Sequence, residues 1–313
     1  MKNNLFLALL FFFALPLSWS QEGTSVKGQA TSDKEASTSA SSETGLLWEV
    51  TGNGLEKPSY VYGTIHLIDS ENFFFPAGTL GAFEASQRVT FEINMEDMTD
   101  MTAIFSMVSK IMMANGTTLS DLLSEEDYNF VKEKFAELGL PFMMLERMKP
   151  MFLSIFASTD MDPTAFSTGG MKSYEMEFME MAKAQNKEMA GLETVEFQMS
   201  MFDSIPYEAQ AEMLVESLKS SNEGNDQLEM MIELYKTQDI EKLQQSIDDE
   251  SQGLGEFEDL LLTKRNEAWI PLMKQMMAEK PTFFAVGAGH LGGENGVIQL
   301  LKKEGYTLKA IKK

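Results

Sequence analysis

The chain holds two histidines, and both occupy the same place in two look-alike segments near opposite ends of the sequence. One segment, Tyr60 to Leu67, reads YVYGTIHL; the other, Phe284 to Leu291, reads FAVGAGHL. Each is a short apolar run closed by glycine, with histidine three residues later, then a loop, a helical pattern and another strand pattern. A degenerate repeat of strand, GxxHL, helix and strand narrows the folds open to the chain. The expectation is an α/β (α+β) protein. Its mixed central sheet would be assembled from two distant βαβ-like half-motifs, with a large helical insertion over about 95–280.

The segments around the repeat support this. Leu46 to Val50 and Tyr60 to Ile65 read as a strand pair, with a turn signal at Gly52 and Gly54 between them. A helix is expected over Thr79 to Ser86 and a buried strand over Arg88 to Ile93. From Glu96 to Lys236 the periodicity is mainly helical, with one strand-like piece at Glu188 to Leu192. A polar helix follows at Glu256 to Trp269, and the chain closes with a strand at Thr282 to Val286, a turn and helix at Gly293 to Glu304, and a strand at Tyr306 to Ile311.

Lys2 followed by the apolar run Leu5 to Leu15, Pro16 and the small-x-small Ser18 to Ser20 has the form of a signal peptide cleaved near residue 20. The run is shorter than the about 20 residues a spanning helix needs. Residues 21–44 are polar, rich in Ser and Thr and without aromatics, as a flexible tether would be, so the folded domain is expected over 45–313. Secreted or periplasmic location is the corresponding expectation. With no cysteine the chain has no lipoprotein attachment point, disulfide or thiolate chemistry. A net charge of −23 disfavours nucleic acid and anionic membrane as partners, because few cations are available to neutralise phosphates. A peptide or small molecule fits better as substrate; the oligomeric state stays open.

The chemistry centres on the repeat. A loop leaving the carboxyl end of a strand aims its side chains at the edge where open α/β sheets bind ligands. Imidazole there can ligate a metal or move a proton near neutral pH. Two imidazoles alone make a weak metal site, and carboxylates would complete it. Glu92, inside the apolar run Val89 to Ile93, is the first choice; Glu193, directly after the strand-like Glu188 to Leu192, is the second. Without chemistry, each histidine would be a satisfied loop residue and each glutamate a capping or solvated group.

The motifs GTIHL and GAGHL, Glu92 in VTFEIN, GLETVEFQ at Gly191 to Gln198 and KRNEAWIP at Lys264 to Pro271 together resemble the TraB/GumN family. That family is related to the Tiki metalloproteases and, more distantly, to erythromycin esterases and haem-associated ChaN-like proteins. The resemblance runs from Leu46 to the C-terminus. It implies a divalent-metal-dependent hydrolase, with Mn2+ or a similar ion and with His66, His290 and Glu92 as the family's site residues; an enzyme of this kind would act on peptide or ester bonds and use Glu193 as further ligand or base. Arg265 would pair a carboxylate or meet developing negative charge, although its charge-rich helix could equally be a solvated face. The alternative is an envelope protein without activity that binds metal or haem in the same cleft.

Two weaker signals point elsewhere. The methionines at 95, 98, 101, 107, 112 and 113 could suit Cu(I), but without cysteine or nearby histidine they read better as adaptable packing. Gly287, Gly289, Gly292 and Gly293 resemble a phosphate cradle, yet no Lys-Ser/Thr follows, and no GxSxG nucleophile motif occurs.

Overall fold

The computed structural model describes residues 44–95, 109–137, 141–157, 170–219, 221–250 and 259–311. The signal-like run, the tether up to residue 43, Met98, Met101, Met107 and the start of the expected 256–269 helix lie outside the described residues.

Strands β1 (Leu47–Gly52), β2 (Ser59–Thr64) and β3 (Ile68–Asp69) lead to helix α1 (Thr79–Ala85) and strand β4 (Arg88–Ile93). Helices α2 (Leu119–Leu122), α3 (Glu125–Glu137), α4 (Phe142–Leu145) and α5 (Pro150–Ala157) follow, then β5 (Met171–Lys172), α6 (Tyr174–Ala184) and β6 (Glu188–Glu193). Four more helices are α7 (Val195–Phe202), α8 (Tyr207–Lys219), α9 (Ser221–Thr237) and α10 (Ile240–Glu250). A π-helical turn at Asp259–Thr263 opens α11 (Lys264–Glu279), and the chain ends with β7 (Thr282–Gly287), α12 (Val297–Lys303) and β8 (Tyr306–Ala310).

The main sheet has the order β6-β4-β7-β2-β1-β8. Strands β6, β4, β7 and β2 are mutually parallel, while β1 runs antiparallel to both β2 and β8. The two half-motifs therefore interleave: β7 of the second lies between β2 and β4 of the first. Both β2 and β7 are buried at every position, as central parallel strands covered on two faces must be. Edge strand β8 instead alternates buried and exposed residues.

Helices cover the sheet on both faces. On one face Phe83 of α1 and Phe178 of α6 form one aromatic cluster with Tyr62 and Phe283, with neighbouring ring centroids 5.0–6.0 Å apart. Successive strand residues point to opposite faces. Arg88, Thr90 and Glu92 accordingly share the face opposite Val89 and Phe91, and all three touch α11, through Glu279, Met276 and Arg265. Glu92 faces α11 because it stands two residues along from Thr90 on the same side of β4.

Two expectations change. The helical stretch is not a single insertion, because β6 returns to the main sheet and pairs in parallel with β4. Nor does the helix expected over Glu256 to Trp269 stop before Pro271; α11 runs on to Glu279. Proline inside a helix costs about 3 kcal/mol, whereas each fully buried large apolar side chain returns about 1.5–3 kcal/mol. Trp269, Ile270, Met273 and Met277 line one face of α11 and are all buried, which outweighs the loss. Helices α9, α10 and α12 join the main core, through Tyr235, Leu243 and Leu301 among others, while α2, α3, α5 and α8 share a smaller apolar cluster that joins Leu119, Val131, Phe135 and Leu153 to Leu214 and Leu218. No described helix is long and apolar enough to cross a membrane.

Candidate active site

Four adjacent parallel strands each deliver a polar group to the same sheet edge. Strand β6 ends on Glu193, β4 carries Glu92 one residue before its end, β7 leads into His290 and β2 into His66. Glycines set the spacing. A Cβ on Gly63 would lie 3.1 Å from both Ala288 and the Leu291 side chain. The first motif's glycine therefore makes room for the second motif's turn rather than for a ligand. On Gly191 a Cβ would meet the Asn94 backbone nitrogen at 2.4 Å, so only glycine lets the ends of β4 and β6 close on each other.

Arg265 occupies the centre and is fully buried. Its Nη2 donates to Glu92 Oε2 and Glu193 Oε1, both at 2.6 Å, and its Nε donates to Glu193 at 3.1 Å. Nη1 donates to the Leu261 carbonyl at 3.1 Å and faces His290 Nε2 at 2.9 Å. A guanidinium has five N–H groups and no acceptor. Both carboxylates and the imidazole are thereby held at fixed points of one planar fork. The reading of Arg265 as part of a solvated helix face is excluded, and so is the same reading for its neighbour Asn266, which is also buried.

The imidazoles are held in the same way by different oxygens. His290 Nδ1 lies 2.7 Å from Asn266 Oδ1. Since Arg265 can only donate, His290 Nε2 is the acceptor and Nδ1 carries the proton. Burial first, then the Arg265 charge, pushes His290 down to about 3, so it is neutral at physiological pH. The 3.7 Å approach of His290 Nε2 to Glu92 Oε1 is accordingly not an ion pair. His66 Nδ1 instead lies 2.7 Å from Glu175 Oε1. Burial lowers His66, but the Glu175 charge and hydrogen bond outweigh it and raise the group above its ordinary value. Each histidine also feels the charges of Glu92 and Arg265, and His290 feels that of His66, so both belong to one electrostatic unit.

The carboxylates diverge. Burial pushes Glu92 up, but Arg265, then His290, His66 and the Gly287 N–H at 2.8 Å bring it down to about 2. Burial raises Glu193 and wins over Arg265, helped by the negative charge of Glu92. Of the pair, Glu92 is the stronger acid and Glu193 the weaker. Gln198 donates to Glu193 at 2.9 Å and Trp269 Nε1 at 3.0 Å.

Glu175, Asn266, Gln198, Trp269 and Thr64 are parts of this network that sequence reasoning did not single out as site residues. The one available signal was position: Thr64, Gln198, Asn266 and Trp269 all fall inside the quoted motifs. Glu175 had none. The cleft expected between the half-motifs is closed over its polar centre: Arg265, Glu92 and His290 are all buried. A cavity of about 140 Å3, lined by Leu262, Thr263, Asn266, Gly289 and Asn295 among others, reaches the Asn266 side. Of the glycines that resemble a phosphate cradle, Gly292 has a packing role: its Cβ would strike the Ile240 carbonyl of α10 at 2.5 Å.

The profile of the TraB/PrgY/gumN family matches residues 46–310. The chain belongs to that family. Similar curated proteins include metalloprotease TIKI1 of Danio rerio, 25% identical over 84% of this chain and 62% of that protein. TIKI1 of Homo sapiens is 24% identical over 84% of this chain and 61% of its own length. TIKI2 of Danio rerio is likewise 24% identical, over 84% of this chain and 60% of that protein. The chain thus spans about three fifths of the length of these relatives. No solved structure matches. The relatives' names imply a metal in those proteins. In kind, two imidazoles pinned through Nδ1 and an ionised carboxylate suit a divalent ion, since ligating histidines ordinarily donate their other N–H to an oxygen. In the arrangement seen, no three His, Asp or Glu side chains among the described residues are grouped to hold one. Arg265 supplies the positive charge between them.

Proposed function

We propose that this TraB/PrgY/gumN chain is an exported, divalent-metal-dependent hydrolase acting on peptide bonds, with esters as the secondary possibility. The observation that carries the proposal is the convergence of four parallel strand ends on one buried polar centre, with the carboxylates driven apart in acidity. His66, His290 and Glu92 would hold the ion, Mn2+ or a similar one, with Glu193 in reach of the same centre. A bound divalent ion would supply Lewis-acid chemistry, polarising a scissile carbonyl.

The chain's own residues have distinct tasks. Glu193, held above its ordinary value, suits a general base that takes a proton from the attacking water. Neutral His290, fixed by Asn266 on Nδ1, gives its Nε2 lone pair to Arg265 at rest, so the Arg265 fork would have to turn aside for Nε2 to meet an ion. Arg265 balances the carboxylates at rest and can turn its fork to negative charge developing on the substrate oxygen.

The test is the metal content of the purified protein together with turnover on a peptide library with Mn2+ and with chelator. Glu92→Gln keeps size and hydrogen bonding but removes the charge that offsets a divalent ion. It should fold and lose hydrolysis by roughly 100-fold or more. His66→Ala and His290→Ala should lose hydrolysis and retain metal poorly. Metal binding without turnover in the parent protein would mean a binding protein of the envelope instead. Hydrolysis at the parent rate in all three variants would sink the proposal.

A further inference from the structure

We propose that Glu175 is a positioning residue for His66, setting which ring nitrogen carries the proton and holding the imidazole at the site. The inference rests on the reading that His66 belongs to the reacting centre. Glu175 stands in the first turn of α6, far from either GxxH motif in sequence, and is buried. Its Oε1 lies 2.7 Å from His66 Nδ1 and accepts from Thr64 Oγ1 at 2.6 Å. Its Oε2 accepts from Ser173 Oγ at 2.9 Å. Thr64 is the residue between the glycine and the isoleucine of the first motif, so that motif supplies both the histidine and a clamp on the carboxylate that holds it.

The geometry fixes the tautomer without further assumption. An ionised carboxylate has no proton to donate, so the His66 nitrogen facing it must be the N–H. The lone pair of the neutral ring then resides on Nε2. His290 is held the same way, with Nδ1 on Asn266 Oδ1 and Nε2 facing the Arg265 donor. The two half-motifs thus hold their imidazoles in the same Nδ1–H tautomer, each fixed by an oxygen from the first turn of a helix outside its own motif. A helix N-terminus favours an acidic residue in its first turn at a solvated surface. It gives no reason to bury the carboxylate against His66 and Thr64. A carboxylate and an amide also differ: the amide can turn and donate, the carboxylate cannot.

Because the protein has two histidines, selective 15N-histidine labelling of the full chain gives two separate imidazole spin systems. Long-range 1H–15N spectra at alkaline pH should show both rings as the Nδ1–H tautomer in the parent. In Glu175→Gln the amide can donate or accept, so His66 should populate both tautomers while His290 stays unchanged. Titration with Mn2+ alone should show affinity falling about 10–100-fold, and Glu175→Asp should recover part of it. Peptide turnover should lose kcat by a similar factor with KM little changed, as expected of a group that orients rather than binds. The proposal is overturned if His66 in the parent is the Nε2–H tautomer, or if Glu175→Gln leaves both His66 tautomer and Mn2+ affinity at parent values. A parent protein without turnover would refute the hydrolase reading; the tautomer spectra would still decide the role of Glu175.

Discussion

Replacing Arg265 with methionine removes the fully buried cation shared by Glu92 and Glu193. Breaking a buried ion pair from one side typically costs about 3–5 kcal/mol, because the partner charge stays buried without compensation. Burial alone would raise Glu92; the Arg265 charge is the largest influence that brings it down instead, to about 2. A domain of this size should lose roughly 6–20 °C in Tm at neutral pH. The pH dependence follows from the sign. Glu92 has its folded value below its unfolded one, so its contribution is fully present above about 4.5 and fades as pH falls toward 2. The deficit of Arg265→Met against the parent should therefore be largest at neutral pH and shrink in acid, where the freed carboxylates take up protons. Added Mn2+ should stabilise each protein by about 2.7 kcal/mol at a hundredfold excess over that protein's own Kd. Urea unfolding of both proteins across pH, with and without Mn2+, measures all of this. A variant within about 1 kcal/mol of the parent at neutral pH would refute the central role given to Arg265.

Gly191→Ala should destabilise by at least 1–3 kcal/mol, roughly 2–12 °C in Tm, since its Cβ would sit 2.4 Å from the Asn94 nitrogen and backbone cannot yield as a side chain can; thermal unfolding that matches the parent would show that the strand ends are loosely held. The His66–Glu175 pair should stabilise most between about 4.5 and 6.5: His66 is raised, so its share is present below 6.5 and lost as pH climbs through its folded value, while Glu175 is lowered and loses its share in acid. The stability gap between the parent and His66→Gln should accordingly narrow toward alkaline pH, and a gap that widens there contradicts the pairing. Export should cleave the chain near Ser20, so an intact Met1 on exported protein would count against a signal peptide.

Local pattern was enough for the elements that carry the histidines. Apolar runs ending in glycine made β2 and β7 legible, and the repeat of GxxHL identified His66 and His290 as equivalent before any contact was known. Glu92 stood out because a carboxylate inside an apolar strand must find a partner, and Glu193 because it closes a strand-like segment. The partners themselves were not legible. Arg265 stands four residues before Trp269 and eight before Met273, so the apolar stripe of α11 turns it inward, but that stripe does not tell which carboxylates it meets. Glu175 gave no signal, because its meaning lies in a 2.7 Å contact with His66 across a long sequence separation. The same holds for β6, a weak strand by composition that becomes the edge of the main sheet only because Gly191 lets it close on β4. Periodicity and turn chemistry act over a few residues and can be read from the chain. Which buried charge meets which depends on how strands from distant segments are ordered, and only the assembled sheet brings two glutamates, two histidines and one guanidinium to a single edge.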